Sequence, residues 1–452
     1  MERAREPAGR RRIGLFFTAG LFAGLTVSCD AHSAPPPLPN IVVVLVDQLR
    51  KDAADRWMPE VRELAGRGVV FENMRAAAPW TYPSVISLFS GLYPQQHGAD
   101  GEPTGGKRLS TFDPSLPLLP DLLGERYYSA AFVTNPFLQR WNPFAVAFDH
   151  YAIDEFVGSM GNLRGYPRLA WTRDMFADSV NRVIREHFDA RTRNEPEFVY
   201  VHYVDVHGPW DGAPFDVGPP TPPEALNERA YEAGARYVDR KIAELYDYFS
   251  RRYAREFLFL VTSDHGQELG DDLAIGEGEP LRKRKSTVHD FNTRIPLFLL
   301  PGRSVPVGEV VEIPCSNVDL VPTLLDWIGM PIPANLSGRS LRAAILGETQ
   351  PADWHRPIYS KMSAFNRSND CIVVGSKKLM RQFDPSTGVE TGRVAFDLAA
   401  DPREALTLSP AAGPASDLLE QAASTAGIEY PKRFEKPDAQ TLERLRALGY
   451  FE

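Results

Sequence analysis

Three stretches of the chain are apolar almost without interruption: NIVVVLVD at 40–47, EFVYVHYVDVHG at 197–208 and EFLFLVTSDHG at 256–266. A strand with one wet face alternates apolar and polar residues, whereas a β-branched or aromatic run suits a strand covered on both faces. Elsewhere the apolar positions recur every three or four residues, as in MPEVRELAGRGVVF (58–71) and AYEAGARYVDRKIAELYDYFSRRY (230–253), which predicts helices. Strands alternating with helices predict an α/β fold, with a large, mostly parallel central sheet flanked by helices. TRIPLFLLPG (293–302) adds a strand, and NVDLVPTLLDWIG (317–329) a helix that Gly329 can close. Beyond about residue 345 the pattern shortens. DCIVVGSKKLMRQFDPSTGVETGRVAFDLAADP (370–402) reads as short strands around turns at Asp384-Pro385 and Thr387-Gly388, a small antiparallel subdomain. DAQTLERLRALGYFE (438–452) reads as an amphipathic helix packed back on the body.

The three apolar strands end in Asp47, in Asp205 and His207, and in Asp264 and His265. Open α/β sheets bind ligands beyond the carboxyl ends of their strands. A turn or a helix cap explains any one such acid; three on one sheet edge predict a convergent polar site of the kind that holds a metal. A hydroxyl sits in similar company in APWTYPSVISLFSGLYPQQHG (78–98). Pro83 suits a first helical turn, and Gly91 can end the helix, so Thr81 falls at or just before a helix N-terminus, where free amides favour an anion. The plainer alternative is that Thr81 caps the helix. His97, in the following YPQQHG, reads as structural.

Composition narrows the class. Hydrophobic residues make up 43% and charged residues 24%, as in ordinary globular proteins, and a net charge of −9 argues against a nucleic-acid partner. The N-terminus is a targeting segment: basic MERAREPAGRRR, apolar IGLFFTAGLFAGLTV, then SCDAHSAPPPLPN. The apolar run is short for a membrane span. Leu25-Thr26-Val27-Ser28-Cys29 is similar to a bacterial lipobox, with its leucine one position early, which predicts a lipid anchor on Cys29; a secretory signal cleaved near Ala34 is the alternative. Either way the mature protein is exported, to the periplasm or cell envelope. The organisation expected is a signal or lipoprotein segment over 1–29, a proline-rich tether over 30–38, a catalytic domain over 39–345 and a C-terminal subdomain with its helix over 346–452. With Cys29 lipidated, Cys315 and Cys371 remain, enough for one disulfide without requiring it.

The ordered blocks NIVVVLVDQLRKDAADR, GVVFENMRAAAPWTYPSVISLFSGLYPQQHG, TSDHGQELGDD, TRIPLFLLPG and NVDLVPTLLDWIGMPIPANLSGRSL resemble those of the sulfatase family, in the alkaline-phosphatase superfamily. The resemblance runs from about Asn40 to near residue 408. It implies metal ligands at Asp47, Gln48, Asp264 and His265, with Thr81 as both ligand and nucleophile. It also implies Lys285 holding the substrate oxygens, His207 facing the leaving group and His289 as a second candidate acid. The chain departs from the family at the nucleophile. The family's Cys (or Ser)-x-Pro-x-Arg frame reads Thr81-Tyr82-Pro83-Ser84-Val85, so no formylglycine is expected and the signature arginine is missing. Gln48, where aspartate is usual, and His265, often asparagine, leave calcium, magnesium, manganese or zinc as the one divalent ion.

The implied function is metal-dependent hydrolysis of sulfate or phosphate esters. The expected substrate is an anionic ester, such as a sulfated or phosphorylated glycan or headgroup. Two other functions fit the same residues. A phosphoryl-headgroup transferase at the membrane surface would suit a lipid anchor. A lapsed, purely binding protein would suit Val85, Gln48 and Asp272, the last where many relatives have histidine.

Overall fold

The computed structural model describes residues 38–99, 109–140, 142–157, 173–192, 195–208, 210, 212–218, 228–254, 256–269, 287–348, 355–364, 368–405 and 433–435. The N-terminal segment with Cys29, nearly all of the proline-rich tether, Lys285, Asp272 and the C-terminal helix lie outside the described residues.

One eight-stranded sheet organises the chain. Its strands are β1 (Asn40–Val46), β2 (Val69–Phe71), β3 (Tyr128–Val133), β4 (His150–Ala152), β5 (Glu197–Tyr203), β6 (Phe257–Thr262), β7 (Leu297–Leu300) and β8 (Glu309–Val311). They lie in the order β8-β2-β7-β6-β1-β5-β3-β4. Only β7 runs against its neighbours; every other adjacent pair is parallel. β1, β5 and β6, the three continuous apolar runs, sit side by side and are buried along their whole length, as cover on both faces requires. Leu45 lies opposite Thr262, so two residues further on Asp47 and Asp264 leave neighbouring strands side by side. The register thus builds half of the polar site before any loop is considered.

Helices cover the sheet. The longest, Glu228–Arg252, turns Tyr231, Ala235, Val238, Ile242, Leu245 and Phe249 inward at helical spacing. The helix Leu320–Trp327 ends as expected, with Gly329 in the left-handed conformation at φ 69°.

A second sheet of four antiparallel strands runs Ile358–Met362, Ser368–Val374, Lys377–Phe383 and Glu390–Asp397, with the Asp384–Gly388 turn joining the last two. It is bonded to the segment preceding Thr81: Ser360 Oγ donates to the Ala76 carbonyl at 2.6 Å, and the Lys361 N–H to that of Ala77 at 2.9 Å. A short strand, Arg433–Glu435, pairs antiparallel with Leu109–Thr111, a link that periodicity gave no sign of. Cys315 and Cys371 are both buried, and no disulfide joins them.

Beneath the small sheet lies a neutral cluster of four buried charges. Lys378 Nζ contacts Asp290 Oδ1 at 2.8 Å and Glu404 Oε1 at 2.6 Å, and Arg75 Nη1 reaches the same Asp290 oxygen at 2.6 Å. The Asp290 N–H donates to Glu404 Oε2 at 2.7 Å. Burial works against the Asp290 carboxylate, but the charges of Arg75 and Lys378 hold its pKa below the usual carboxylate range. Removing one member leaves the others charged and dry, which costs far more than the intact set contributes. Lys378→Met is therefore expected to lose about 3–5 kcal/mol of stability in urea unfolding, and a midpoint equal to wild type would refute the tie.

Candidate active site

Thr81 is the first residue of the helix Thr81–Ser90, not its cap. Trp80 holds the cap position in extended conformation and gives no side-chain bond to the helix, so the Thr81 hydroxyl is not used for capping. Gly91, at φ +70°, closes the helix, a conformation that suits a residue without Cβ. Thr81 Oγ1 lies 3.5 Å from Asp47 Oδ2 and 3.5 Å from His265 Nε2, with the side chain only 1% exposed.

Asn317 brackets this helix start. Its Oδ1 accepts the Ala77 N–H at 3.0 Å, and its Nδ2 donates to the Ser84 carbonyl at 3.0 Å and to Ser84 Oγ at 2.9 Å. Ser84 Oγ in turn donates to the Asp264 carbonyl at 2.6 Å. The turn that carries Thr81 is thereby locked to the loop that carries Asp264.

Each carboxylate is held by one oxygen. Asp47 Oδ2 accepts Asn135 Nδ2 at 2.6 Å and His202 Nε2 at 3.1 Å, while His202 Nδ1 faces the Tyr200 hydroxyl at 2.8 Å. Asp264 Oδ1 accepts the backbone N–H of Gln48 at 3.0 Å and of His265 at 2.8 Å. Gln48 sits at φ +64°, a conformation a non-glycine residue adopts at some cost, and that turn aims its amide at Asp264.

The other two oxygens, Asp47 Oδ1 and Asp264 Oδ2, are buried without a hydrogen-bond donor. Beside them, His265 Nδ1 is 2.8 Å from the Gly266 carbonyl, which can only accept, so Nδ1 carries the proton and Nε2 presents a lone pair. A Cβ on Gly266 would stand 1.9 Å from the Phe291 carbonyl, so only glycine lets this loop pack so close. His265 Nε2 lies 3.5 Å from Asp264 Oδ2 and 3.9 Å from Asp47 Oδ1.

Asp47, Asp264 and His265 each offer a ligand atom within 4.8 Å of the others, and two buried, donor-free carboxylate oxygens beside an imidazole lone pair fit a divalent cation. The electrostatics agree. Burial disfavours the Asp47 carboxylate, yet the His202 bond and the charges of His207, His202 and His265 hold its pKa well below the usual range. Burial, followed by the charge on Asp47, pushes that of Asp264 up.

Asp47, Thr81, Asp264 and His265 therefore lie together, and the Gln48 backbone N–H is bonded to one of them, Asp264. His207 is buried close enough for its charge to act on Asp47, and its Nδ1 contacts the Gly208 carbonyl. His289 has its own partners: its Nδ1 is 2.9 Å from Thr287 Oγ1, its ring stacks on Phe291, and burial with the nearby Lys378 charge pulls its pKa down to about 3. His97 is structural: Nε2 is 3.0 Å from Ser87 Oγ, Nδ1 accepts the Ala99 N–H, and burial lowers its pKa to about 3.

Asp205 leaves the convergence expected of it. Its Oδ1 accepts the N–H of Ala177, the first residue of the helix Ala177–Asp189, because β5 ends next to that N-terminus. Asn135 and His202, which contact Asp47 directly, escaped the sequence reading. Asn135 stands just past the end of β3 and was legible by the same strand-end logic; His202 sits inside a strand and was not.

Burial raises the Asp205 pKa to about 8, and its Oδ2 has no hydrogen-bond partner. Between pH 4 and 8 the folded state then holds a proton that the unfolded chain has released, so stability falls as pH rises through this window. Asp205→Asn keeps an acceptor for Ala177 and carries no charge. It should flatten the decline and gain on the order of 2 kcal/mol or more at pH 8, measured as unfolding free energy at pH 5 and pH 8; a wild-type profile flat over that range would refute the assignment.

Residues 39–330, well over half of the chain, match the sulfatase family model. The low-salt glycan biosynthesis sulfotransferase Agl7 of Haloferax volcanii is 26% identical, over 73% of this chain and 69% of its own. The Delta 4,5-hexuronate-2-O-sulfatase of Bacteroides thetaiotaomicron is 22% identical, over 84% and 86% respectively. The phosphonate monoester hydrolase SpPMH from Silicibacter pomeroyi shares the fold, with a TM-score of 0.64 at 19% identity over 86% of this chain and 94% of its own. A match of that extent, over the strands and helix that carry the buried acceptors, makes this chain a member of the sulfatase family, within the alkaline-phosphatase superfamily.

Proposed function

We propose that the protein hydrolyses sulfate or phosphate-type esters with Thr81 as nucleophile, in a site that uses one divalent cation. The observation that carries this reading is the Thr81 hydroxyl. It stands at a helix N-terminus, free of capping duty, 3.5 Å from both Asp47 and His265. Asp47, Asp264 and His265 would hold the ion, with the Gln48 side chain and Thr81 completing the set. When bound, such an ion lowers the pKa of the hydroxyl and polarises the ester.

The rest is done by the chain. Thr81 donates its hydrogen bond toward Asp47 Oδ2, which orients an oxygen lone pair for in-line attack on sulfur or phosphorus. The dipole of the helix Thr81–Ser90 favours the negative charge that gathers there. His207 gives a proton to the departing alcohol as the ester bond breaks, balancing the one Thr81 loses, and Lys285 is the cation for the remaining ester oxygens; water then cleaves the Thr81 ester and restores its hydroxyl. Threonine has no route to formylglycine, since oxidation of its secondary alcohol gives a ketone.

Relatives named as a hexuronate sulfatase and an N-acetylglucosamine-6-O-sulfatase support a sulfated sugar as substrate, and SpPMH supports a phosphonate. The basic, apolar N-terminus and Cys29 support an exported protein anchored by lipid, with a catalytic domain over 39–345 and a subdomain after it. No helix among the described residues is long and apolar enough to cross a membrane.

The test is turnover of matched aryl esters, a sulfate, a phosphate monoester and a phosphonate monoester, by metal-reconstituted wild type and Thr81→Ala. Loss of about 10³-fold or more in kcat/KM is expected for Thr81→Ala. Equal turnover in both proteins would remove Thr81 from the mechanism, and product transferred to an added alcohol ahead of water would make the protein a transferase.

A further inference from the structure

We infer that Asn135 and His202 are positioning residues that restrict Asp47 to a single metal-facing oxygen, and that the site consequently takes a first-row transition dication in preference to calcium. The inference rests on the metal site proposed above and adds to it the class of ion.

Asp47 Oδ2 is fully engaged. Asn135 Nδ2 donates to it at 2.6 Å, His202 Nε2 lies 3.1 Å away, and Thr81 Oγ1 approaches at 3.5 Å. Neither nitrogen can follow the carboxylate if it turns. Asn135 Oδ1 accepts the Phe137 N–H at 2.8 Å, His202 Nδ1 faces the Tyr200 hydroxyl at 2.8 Å, and Thr134 Oγ1 donates to the His202 carbonyl at 2.7 Å. Rotating Asp47 so that both oxygens face the site would strand these donors where no water can replace the bond; Asn135 and His202 are 1% and 0% exposed.

Asp264 is restrained in the same way by donors that are still less mobile. The N–H groups of Gln48 and His265 both point at its Oδ1. Each carboxylate thus presents one oxygen, Asp47 Oδ1 and Asp264 Oδ2, and His265 presents one nitrogen.

Calcium takes six to eight oxygen ligands and commonly draws two from one carboxylate. Even with the Thr81 and Gln48 oxygens of the proposed set, the chain offers fewer oxygens than calcium takes, denies it the second oxygen of both carboxylates and substitutes an imidazole. One-atom carboxylates with an imidazole nitrogen suit manganese, cobalt or zinc. Partners that orient metal ligands from behind typically alter affinity 10–100-fold when removed.

The experiment is calorimetric titration of the chelator-stripped, full-length protein with Mn²⁺, Zn²⁺ and Ca²⁺, independent of any ester. Wild type is expected to bind Zn²⁺ or Mn²⁺ at least about 100-fold more tightly than Ca²⁺. His202→Leu and Asn135→Leu should each weaken Zn²⁺ and Mn²⁺ about 10–100-fold and narrow the margin over Ca²⁺, because a released Asp47 can offer both oxygens. His202→Gln, which keeps a donor, should recover part of the loss. It also carries the test if the leucine variants fail to fold, as judged by the apo thermal midpoint.

Calcium bound as tightly as zinc and manganese would overturn the selectivity. Unchanged affinities in folded His202 and Asn135 variants would overturn the positioning. Failure of wild type to take up any of the three ions would overturn both, together with the metal site itself. Selective binding without ester turnover would leave this inference standing and sink the hydrolase.

Discussion

Asp47 and Asp264 leave adjacent parallel strands at the same level, shielded from water, and two negative charges at close quarters repel in proportion to how dry their surroundings are. Nearly every polar contact around them answers this constraint. One oxygen of each acid is satisfied from behind, by Asn135 and His202 for Asp47 and by two backbone amides for Asp264. The two that remain lie 3.9 and 3.5 Å from His265 Nε2, and among the described residues neither has a hydrogen-bond donor. A bound cation would neutralise both at once. The strain accepted at Gln48 has its reason here, since the unusual backbone turn is what delivers an amide to Asp264.

Thr81 depends on the same geometry from a different direction. A threonine in the cap position would bond its own helix; one residue further in, its hydroxyl projects toward the acids instead. Asn317 and Ser84 hold that offset by linking the helix start to the Asp264 loop, and the small antiparallel sheet clasps Ala76 and Ala77 just upstream. The buried cluster of Arg75, Asp290, Lys378 and Glu404 ties the same sheet to the body. The second sheet is therefore part of what fixes Thr81 and not an appendage.

Much of this was legible from the residues. Continuous apolar runs identified β1, β5 and β6, and the acids ending β1 and β6 marked where two buried carboxylates meet, because burial on both faces pushes charge to the strand ends. Gly91 and Gly329 marked their helix ends through the left-handed conformation they supply. Three things were not legible. The role of His202 depends on which way a strand residue faces, and one apolar run with polar interruptions does not say. Asp205 looked equivalent to Asp47 until the neighbouring helix N-terminus claimed it. His289, close in sequence to the expected substrate lysine, stacks on Phe291 beside the buried Lys378 of the second sheet, surroundings that no local pattern announces.

The strand order also dictates when these groups can meet. β1 is among the first structured segments to be made, yet both of its partners come much later: His202 is 155 residues from Asp47, and Asp264 is 216 residues from Gln48. Contacts so distant along the chain form slowly, and until they do an unpaired apolar strand remains open to association with other chains. A growing polypeptide halted before β6 holds one acid of the pair, the Thr81 helix without its anchor at Asp264, and β1 with one side bare. For this architecture the hazardous interval runs from the moment β1 is free to pair until β6 arrives beside it, on whichever side of a membrane the chain folds.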